Sequence, residues 1–375
     1  MKIVMHCVYY PPEVGGLESH VHYLGRALVE RGHRVDVVTS RSMPGTAAYE
    51  VRDGVHVWRT WFPGKSTLGW AAHAVGSVRR TLQVSLGADI LHAQALQSVP
   101  PLHLARGYRG APLVVTWHTS HFLRLAKRAG WRTLLSRMVR TVDKNLAASR
   151  EIADVAESLA PGTSVEAVTN GVETSIFRRV SPSLEPTTGS RRRIVVPRRL
   201  FEKNGVEYAV RAVPLIAREV DVEVLVVGDG PERARLERLA GELGVLDRVR
   251  FLGARSHDEM PALLSSAELA VFPSLMEATS VAALECMACE VPVAASRVGG
   301  LPEIVDDEVG GLFAPASPED LAHCVTVLLR RTDLTEVGAV ARRRVVDQWS
   351  NARLAERHLE IYRELVQRRG TAGGR

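Results

Sequence analysis

The sequence predicts an α/β protein built from two doubly wound parallel sheets, and two features of the chain support that prediction. Short apolar runs alternate with amphipathic helical stretches along the first half, and the same alternation restarts after a polar segment at residues 181–190. Continuous apolar runs separated by helices are typical of parallel strands that are covered on both faces. A length of 375 residues is sufficient for two such domains, each with its own core.

The first domain is predicted over residues 1–185. It opens with a strand at Lys2–Val8 and a helix at Gly16–Arg31, which Gly32 ends. The N-terminal run MKIVMHCVYYPP has no small-residue cleavage site, so we interpret it as the first strand and not as a signal peptide. Further buried strands are predicted at Val35–Thr39, Val55–Trp58, Ile90–His92, Leu113–Thr116 and Asn145–Ala148.

The second domain is predicted over residues 190–351, after a linker of sequence SPSLEPTTGS. The expected order is strand, helix, strand, helix and strand, at Ile194–Pro197, Val206–Arg218, Val222–Gly228, a helix ending at Leu243, and Val249–Leu252. Sheets of this kind bind ligands at the carboxyl ends of their strands, so we expect a cleft there. The tail GTAGGR is expected to be disordered.

Composition narrows the class of protein without naming a substrate. The net charge of +6 and the pI of about 9.3 favour anionic partners, which include nucleotide diphosphates, nucleic acid and anionic lipid. No run is long and apolar enough to span a bilayer. The chain has four cysteines, which suits a reduced, cytoplasmic protein. Two of them form a CxxC, Cys286 and Cys289, which we interpret as buried packing within a helix and not as a zinc or redox site.

The most informative stretch is FPSLMEATSVAALECMACEVPVAAS, residues 272–296. A short strand ending at Phe272 leads into a loop with Glu277, and Thr279 and Ser280 stand where a helix needs its N-cap. The unpaired amides of that helix end favour an anion, most often a phosphate. Glu285, about two turns further in, can accept hydrogen bonds from a ribose diol. The alternative is a solvated acidic pair on an ordinary βα unit.

This stretch resembles the nucleotide-sugar site of the retaining glycosyltransferases of family 4, which have the GT-B fold. The likeness rests on Glu277 and Glu285 with seven residues between them, followed by MAC, VPV and VGGLPEIV. It implies two Rossmann-like domains that face each other across a cleft, with the last helix, about 352–368, returning to the first domain. It also implies that Glu285 holds the ribose and that Glu277 contacts the hydroxyls of the donor sugar.

Further motifs fit the same resemblance. Gly15 and Gly16, in PPEVGGLESHV, resemble the glycine loop that faces the donor diphosphate and the acceptor; the alternative is a turn that needs positive φ. Arg199 and Lys203, in RRLFEKNG, resemble the cation pair that stabilises the leaving diphosphate, with a solvated basic turn as the alternative. Arg198 stands where many relatives carry Gly, and we rank it below Arg199.

His118, in TWHTSH, resembles the histidine near the donor sugar, where an imidazole can hydrogen-bond a sugar hydroxyl or the departing oxygen. The alternative is a structural histidine at a strand end. No acidic DxD motif follows a strand of the first domain, and no metal-ligand set is evident. We therefore expect metal-independent chemistry without a cofactor.

Residues 123–144 combine apolar positions at helical spacing with seven Lys and Arg side chains and one acid, Asp143. This pattern predicts a cationic amphipathic helix that docks on an anionic membrane surface, which would make the protein peripheral on the inner face of the membrane. The alternative is a core-packed helix with a solvated basic face.

The function we predict is that of a retaining glycosyltransferase. It would move a sugar from a nucleotide diphosphate sugar, with UDP favoured as the nucleotide, to a hydroxyl of a lipid carrier, glycan or small metabolite. The alternatives are a nucleotide-sugar epimerase or hydrolase, or a non-catalytic protein that binds sugar nucleotides or nucleic acid; we expect no nucleic-acid partner. The sequence departs from the family pattern at two places. Residues 278–280 replace a Gly-aromatic-Gly run, and Glu290 replaces a Gly, which would strain its turn if positive φ is needed.

Overall fold

The computed structural model describes residues 1–13, 15–118, 120–277 and 279–372, and the chain divides into two compact units. The first joins Met1–Gly171 to the C-terminal segment from Asn351, and the second is Val172–Ser350. The chain therefore passes between the units at Gly171/Val172 and again at Ser350/Asn351. Residues 172–185, which the sequence analysis assigned to the first domain, are part of the second unit.

The first unit is built on an eight-stranded sheet in the order β3-β4-β2-β1-β5-β6-β7-β8. Every neighbouring pair is parallel except β3 and β4. The order reverses between β1 and β5, which makes this the switch point of the sheet. The strands are β1 Lys2–His6, β2 Arg34–Ser40, β3 Tyr49–Arg52, β4 Val55–Thr60, β5 Ile90–Gln94, β6 Leu113–Trp117, β7 Lys144–Ala147 and β8 Val165–Ala167.

Eight helices accompany this sheet in the described part of the first unit. Serine side chains cap two of them: Ser66 accepts from the Gly69 amide and Ser149 from the Ile152 amide. A 3₁₀ turn lies at Leu96–Ser98. The helices are α1 Gly16–Glu30, α2 Thr67–Gly76, α3 Val78–Val84, α4 Val99–Arg109, α5 Ser120–Ala126, α6 Ala129–Arg140, α7 Arg150–Leu159 and, at the C-terminus, α15 Asn351–Ala372.

The second unit is built on a six-stranded parallel sheet in the order β11-β10-β9-β12-β13-β14, which is the Rossmann order with its switch point between β9 and β12. The strands are β9 Arg192–Pro197, β10 Val222–Val227, β11 Val249–Gly253, β12 Leu269–Phe272, β13 Val293–Ser296 and β14 Gly310–Phe313. The helices are α8 Val206–Ile216, α9 Arg233–Glu242, α10 Met260–Leu264, α11 Val281–Ala288, α12 Leu301–Ile304, α13 Pro318–Leu329 and α14 Leu334–Trp349, and a 3₁₀ turn lies at Glu202–Asn204.

Aliphatic strands fill the cores of both units. All six residues of β10 are buried, and so are all five of β5 and all five of β6. Helix α15 completes the core of the first unit, because Leu354, Leu359 and Tyr362 pack in the same cluster as Ile3 and Met5. Covering each sheet on both faces removes the polar alternation that an exposed strand would show.

Three expectations about segments differ from what the structure shows. Residues 181–190 are not a spacer between the units, because the Ser183 amide donates to the Ala262 carbonyl and Leu184 packs on the core of the second unit. The cationic stretch expected as one helix is two, α5 and α6, and Leu134 of its apolar positions is 42% exposed. Of the tail GTAGGR, expected to be disordered, residues 370–372 continue helix α15, and residues 373–375 lie outside the described part. No helix in the described residues is long and apolar enough to cross a membrane.

Candidate functional site

The loops that follow β9 and β12 meet at the switch point of the second sheet. Arg198 comes directly after β9, and Glu277 lies in the loop after β12. The two strands are paired neighbours, so their carboxyl ends open at the same edge of the sheet. Parallel α/β sheets bind ligands at this place, outside the carboxyl ends of the strands on either side of the switch point.

Arg198 is the centre of the polar cluster at this edge. Its Nη2 donates to Glu277 Oε2 at 2.5 Å and to Asn204 Oδ1 at 2.9 Å, and its Nη1 approaches Ser280 Oγ at 3.5 Å. Its guanidinium also lies over the Phe272 ring, 5.5 Å from the centroid. The side chain is only 10% exposed, and its buried Nε has no hydrogen-bond partner among the described residues. A fixed cation therefore keeps one donor unused.

The two cations predicted for this site lie differently. Arg199 is exposed, and its guanidinium lies 5.7 Å from the Phe201 ring centroid. The Lys203 side chain is also exposed, while its carbonyl accepts from the amides of Leu275 and Met276. Of the two adjacent arginines, Arg198, which the sequence analysis ranked below Arg199, is the one that contacts Glu277.

Backbone contacts without side-chain bulk hold these loops together. A Cβ on Gly299, whose φ is +53°, would lie 1.6 Å from the Glu277 carbonyl oxygen. A Cβ on Gly205, whose φ is +62°, would lie 1.9 Å from the Pro273 carbonyl oxygen. Both positions therefore need glycine, for the conformation and for the close approach. The VGGLPEIV run contributes Gly299 as a support for the loop that carries Glu277.

The N-terminus of α11 points into the same cluster. Ser280 is its N-cap, and the Ser280 hydroxyl accepts from the Ala283 amide. Thr279 precedes the cap, so of the two predicted N-cap residues Ser280 holds the position. Ala278, the first of the three departures from the family pattern, lies outside the described residues. The first amides of α11 remain available to an anion, which the helix dipole favours.

Glu285 lies in the second turn of α11 and is 15% exposed. Burial raises the pKa of its carboxyl group, and a hydrogen bond from His257 opposes that rise. The His257 Nε2 is 3.3 Å from Glu285 Oε1, and the imidazole packs edge-on against the Phe177 ring, 4.7 Å between centroids. The sequence analysis did not consider His257. Its position in the polar loop after β11, at the carboxyl edge of the sheet, was the signal that could have found it.

In the first unit, Gly15 and Gly16 begin α1 in the loop after β1. Gly15 is the N-cap and has a φ of 174°, so the alternative of a turn that needs positive φ is wrong for it. No side chain caps this helix end. Val14, within the same motif, lies outside the described residues. A Cβ on Gly15 would lie 2.2 Å from Glu18 Oε2, so the Glu18 carboxylate already lies at this helix end.

His118 lies at the carboxyl end of β6, next to a group of buried histidines. Its Nε2 donates to Gln94 Oε1 at 2.7 Å, and burial, with His92 and His358 nearby, lowers its pKa to about 3. His20, on α1, packs edge-on against it with 4.8 Å between centroids. Neither ring nitrogen of His20 has a hydrogen-bond partner among the described residues. His20 is a second residue that the sequence analysis missed.

Backbone strain marks the same edge of the first sheet. Ala95 follows β5 directly and has a φ of +89°, in a region that residues with a side chain rarely adopt. Such outliers persist where the surrounding structure over-determines them, and they cluster at binding sites. Ala95 follows Gln94, the residue that holds His118, so the strain lies at the switch point between β1 and β5.

The two cysteines of the CxxC are buried, as the sequence predicted. Cys286 and Cys289 are fully buried free thiols, and burial raises the pKa of Cys289 to about 12. Within residues 1–13, 15–118, 120–277 and 279–372, no three His, Cys, Asp or Glu side chains are grouped so that they could hold a metal ion.

Sequence comparisons relate both units to known families. Residues 14–176 match the family described as Glycosyltransferase Family 4, and residues 191–331 match Glycosyl transferases group 1. The chain is 31% identical to a glycogen synthase of Mycobacterium tuberculosis, over 99% of this chain and 96% of that protein. It is 29% identical to an uncharacterized glycosyltransferase of Methanocaldococcus jannaschii, over 99% of this chain and all of that one.

Solved structures resemble this fold closely. The sucrose-phosphate synthase of Thermosynechococcus elongatus superposes with a TM-score of 0.84 at 23% identity, covering 97% of this chain and 98% of that chain. An Anabaena protein crystallised with UDP-glucose superposes with a TM-score of 0.77 at 20% identity, covering 97% of this chain and all of the other. At these identities the likeness concerns the fold.

Proposed function

Since this chain belongs to glycosyltransferase family 4 and is a glycosyltransferase with the GT-B fold, we propose that it transfers a sugar from a nucleotide diphosphate sugar to a hydroxyl acceptor. We propose further that the transfer retains the configuration of the anomeric carbon and needs no metal ion. Uridine is the base we favour, because a protein of the same fold was crystallised with UDP-glucose.

One observation carries this proposal: a nearly buried cation and two carboxylates converge on the N-terminal half of α11, at the switch point of the second sheet. A nucleotide diphosphate sugar presents a diphosphate, a ribose diol and sugar hydroxyls. Arg198 and the α11 amides suit the diphosphate, Glu285 suits the ribose diol, and Glu277 suits the sugar hydroxyls. We therefore assign the donor to this edge of the second unit, with Thr279 and Ser280 at the helix end.

The chemistry requires stabilisation of the leaving diphosphate. When the bond between the anomeric carbon and the phosphate oxygen breaks, its electron pair goes to the diphosphate, which gains negative charge. Arg198 offers a positive charge that is fixed in place before the reaction, which is how preorganised groups lower a barrier. Arg199 and Lys203, exposed nearby, can add to the positive potential. In this proposed mechanism, these cations stabilise the negative charge that a metal ion stabilises in metal-dependent enzymes.

The acceptor oxygen then bonds to the anomeric carbon on the face that the diphosphate leaves, and its proton passes to a phosphate oxygen. This course follows from the family likeness, and it yields the retained configuration. In the first unit, we assign Gly15, Gly16 and His118 to binding substrate at the carboxyl edge of their own sheet. His118 is neutral at physiological pH, because its pKa lies far below 7, and it can hydrogen-bond a hydroxyl without adding charge.

We also propose a cytoplasmic location. All four cysteines are free, and three of them are buried, as is usual for proteins in a reducing compartment. For the acceptor we propose only a hydroxyl group, on a glycan, a lipid carrier or a small metabolite, because the names of the relatives given above point to different acceptors.

Thermal unfolding against UDP, GDP, ADP and TDP sugars, with EDTA present, tests the donor site. A ligand at a hundred times its dissociation constant stabilises a folded protein by about 2.7 kcal/mol. We expect one nucleotide family to raise the unfolding midpoint of the wild type and of Glu319→Ala, an exposed control on α13, but not of Glu285→Ala. No shift with any sugar nucleotide would contradict the donor site.

The alternatives give different results in the same preparations. An epimerase or hydrolase would consume the donor without forming a glycoside. A non-catalytic binding protein would keep its affinity in Glu277→Ala and lose it steeply with salt. A transferase should form an α- or β-glycoside of the same configuration as the donor, which NMR of the product reads directly.

A further inference from the structure

The net positive charge of this protein comes from one segment of the chain. Residues 54–142 contain twelve Lys and Arg side chains and a single carboxylate, Asp89. The segment therefore has a formal charge of +11, while the rest of the chain has −5, and together these give the net +6. Three of the twelve cations are paired with carboxylates outside the segment, Arg59 with Glu50, Lys65 with Glu13 and Arg106 with Asp143. The excess positive charge of the first unit therefore lies mainly on the other nine.

Helices α5 and α6, with the two residues between them, carry the densest part of that charge. Six cations, which we call the basic surface, are exposed there, and in the described part of the chain none of them has an acidic partner; they are Arg124, Lys127, Arg128, Arg132, Arg137 and Arg140. Where their hydrogen bonds are known, they go to His121 or to hydroxyl and carbonyl oxygens. The core uses only the opposite face of α6, through Leu135 and Val139.

An apolar surface lies beside the basic surface. Helix α2 has no acidic residue, and its Leu68 and Val75 are 83% and 75% exposed, while Trp61 in the loop before it is 67% exposed. Trp70 of α2 contacts His121 of α5, with 5.6 Å between ring centroids, so α2 and α5 are neighbours. We call Trp61, Leu68 and Val75 the apolar patch.

We propose that the basic surface and the apolar patch together dock the first unit on an anionic phospholipid bilayer, with the patch seated among the lipid headgroups and acyl chains. A cationic helix beside exposed Trp and Leu side chains is the arrangement that binds an interface. A nucleic acid would use the cations but would leave Leu68 and Val75 in water, and nothing else in the described residues covers them. The bilayer accounts for both features.

This surface belongs to the first unit, and the residues of the proposed donor site belong to the second. Its function would be to bring the enzyme to acceptors that are anchored in, or made at, an anionic membrane. Docking and donor binding can therefore fail independently, and each has its own measurement.

Cosedimentation of the full chain with vesicles tests the proposal. We expect binding to phosphatidylcholine vesicles that contain phosphatidylglycerol and little binding to phosphatidylcholine alone. The variant Arg128→Glu/Arg132→Glu/Arg137→Glu should weaken this binding about a hundredfold or more, because each cation near an anionic surface strengthens attachment severalfold. The matched control Arg218→Glu/Arg238→Glu/Arg343→Glu changes three exposed arginines of the second unit by the same charge and should retain most of the binding.

A second variant, Leu68→Ser/Val75→Ser, distinguishes insertion of apolar side chains into the bilayer from electrostatic attraction of the cations to its surface. It should bind anionic vesicles more weakly than the wild type and lose the remaining binding at high salt, whereas the wild type keeps a part of it. Circular dichroism and the donor-induced thermal shift verify that each variant is folded. The proposal is overturned if the wild type ignores anionic vesicles, if both triple variants behave alike, or if the chain binds duplex or single-stranded nucleic acid more tightly than vesicles.

Discussion

Arg198 Nη2 and Glu277 Oε2 lie 2.5 Å apart, so the cation and the carboxylate that follow two neighbouring strands hold each other in place. Both side chains are largely shielded from water, at 10% and 16% exposed. Asn204 and Ser280 accept from two further N–H groups of Arg198, while its Nε–H has no partner among the described residues. A charged group that is held in this way needs little rearrangement when a substrate arrives, which is the condition for electrostatic stabilisation of a transition state.

Replacing Arg198 should therefore damage activity more than replacing Arg199. Arg198→Met removes a charge-assisted bond and leaves Glu277 unpaired, so we expect kcat/KM to fall about ten- to a hundredfold. Arg199→Met removes an exposed cation and should cost about threefold or less. Steady-state kinetics with the donor found by the thermal screen measures both. If Arg199→Met is the more damaging change, the assignment of Arg198 is wrong.

Donor binding should weaken in mild acid through Glu285. Burial raises the pKa of its carboxyl group, and a protonated carboxyl accepts ribose hydrogen bonds less well. The hydrogen bond from His257 lowers that pKa, so His257→Asn should move the loss of affinity to higher pH. Calorimetric titration of the nucleotide across pH measures this shift. A role of His257 in packing alone would lower affinity equally at every pH.

The first unit should lose stability as pH falls from about 6.5. Burial lowers the pKa of His118 to about 3 and of His358 to about 4, and it lowers those of His20 and His92 well below the usual value. An unfolded histidine takes up a proton near pH 6.5, whereas these folded ones do not, so the unfolded state gains protons first. The stabilisation is complete above 6.5 and falls by about 1.4 kcal/mol per pH unit for each such histidine.

Tryptophan fluorescence can follow that loss. Five of the six tryptophans are in the first unit, and Trp349→Phe removes the one in the second. Denaturant unfolding of this variant should shift to lower denaturant between pH 7 and about pH 5, above the range of ordinary carboxyl groups. An unchanged midpoint over that range would contradict the prediction.

Two helical glycines should respond to alanine with opposite signs. A Cβ on Gly338 of α14 would lie 2.2 Å from the Glu290 carbonyl oxygen, in a turn where Glu290 already has a φ of +61°. Gly338→Ala should therefore destabilise by about 1–3 kcal/mol. On Gly241 of α9 the nearest atom would be 3.6 Å away, so Gly241→Ala should stabilise by up to about 1 kcal/mol through helix propensity. Denaturant melts of the two variants compare them directly.

Glu290 also shows what the sequence could predict about local strain. The replacement of a family glycine raised the expectation of positive φ, and the structure has φ +61° there. The general architecture followed from apolar runs such as those at β1, β6 and β10, because buried parallel strands leave a continuous apolar signal. The fold class and the family are confirmed by the comparisons.

The sequence analysis missed elements that lack a continuous apolar run. Strand β14, GGLF, contains two glycines, and a Cβ on Gly310 would lie 1.9 Å from the Val293 carbonyl oxygen, so close strand packing and not propensity decides its sequence. Within the site, spacing identified Glu277 and Glu285 as candidates but could not decide which of two adjacent arginines turns inward. That choice depends on Asn204 and Phe272, which meet Arg198 only in the folded unit.

The return of α15 to the first unit sets an order of events during synthesis. Leu354, Leu359 and Tyr362 complete a core that includes Ile3, so one part of that core is synthesised before the second unit and the other part after it. The second unit, residues 172–350, is synthesised before the last helix. The first unit can therefore complete its core only after the second unit has been synthesised, and the apolar surface that α15 covers is prone to aggregation until then.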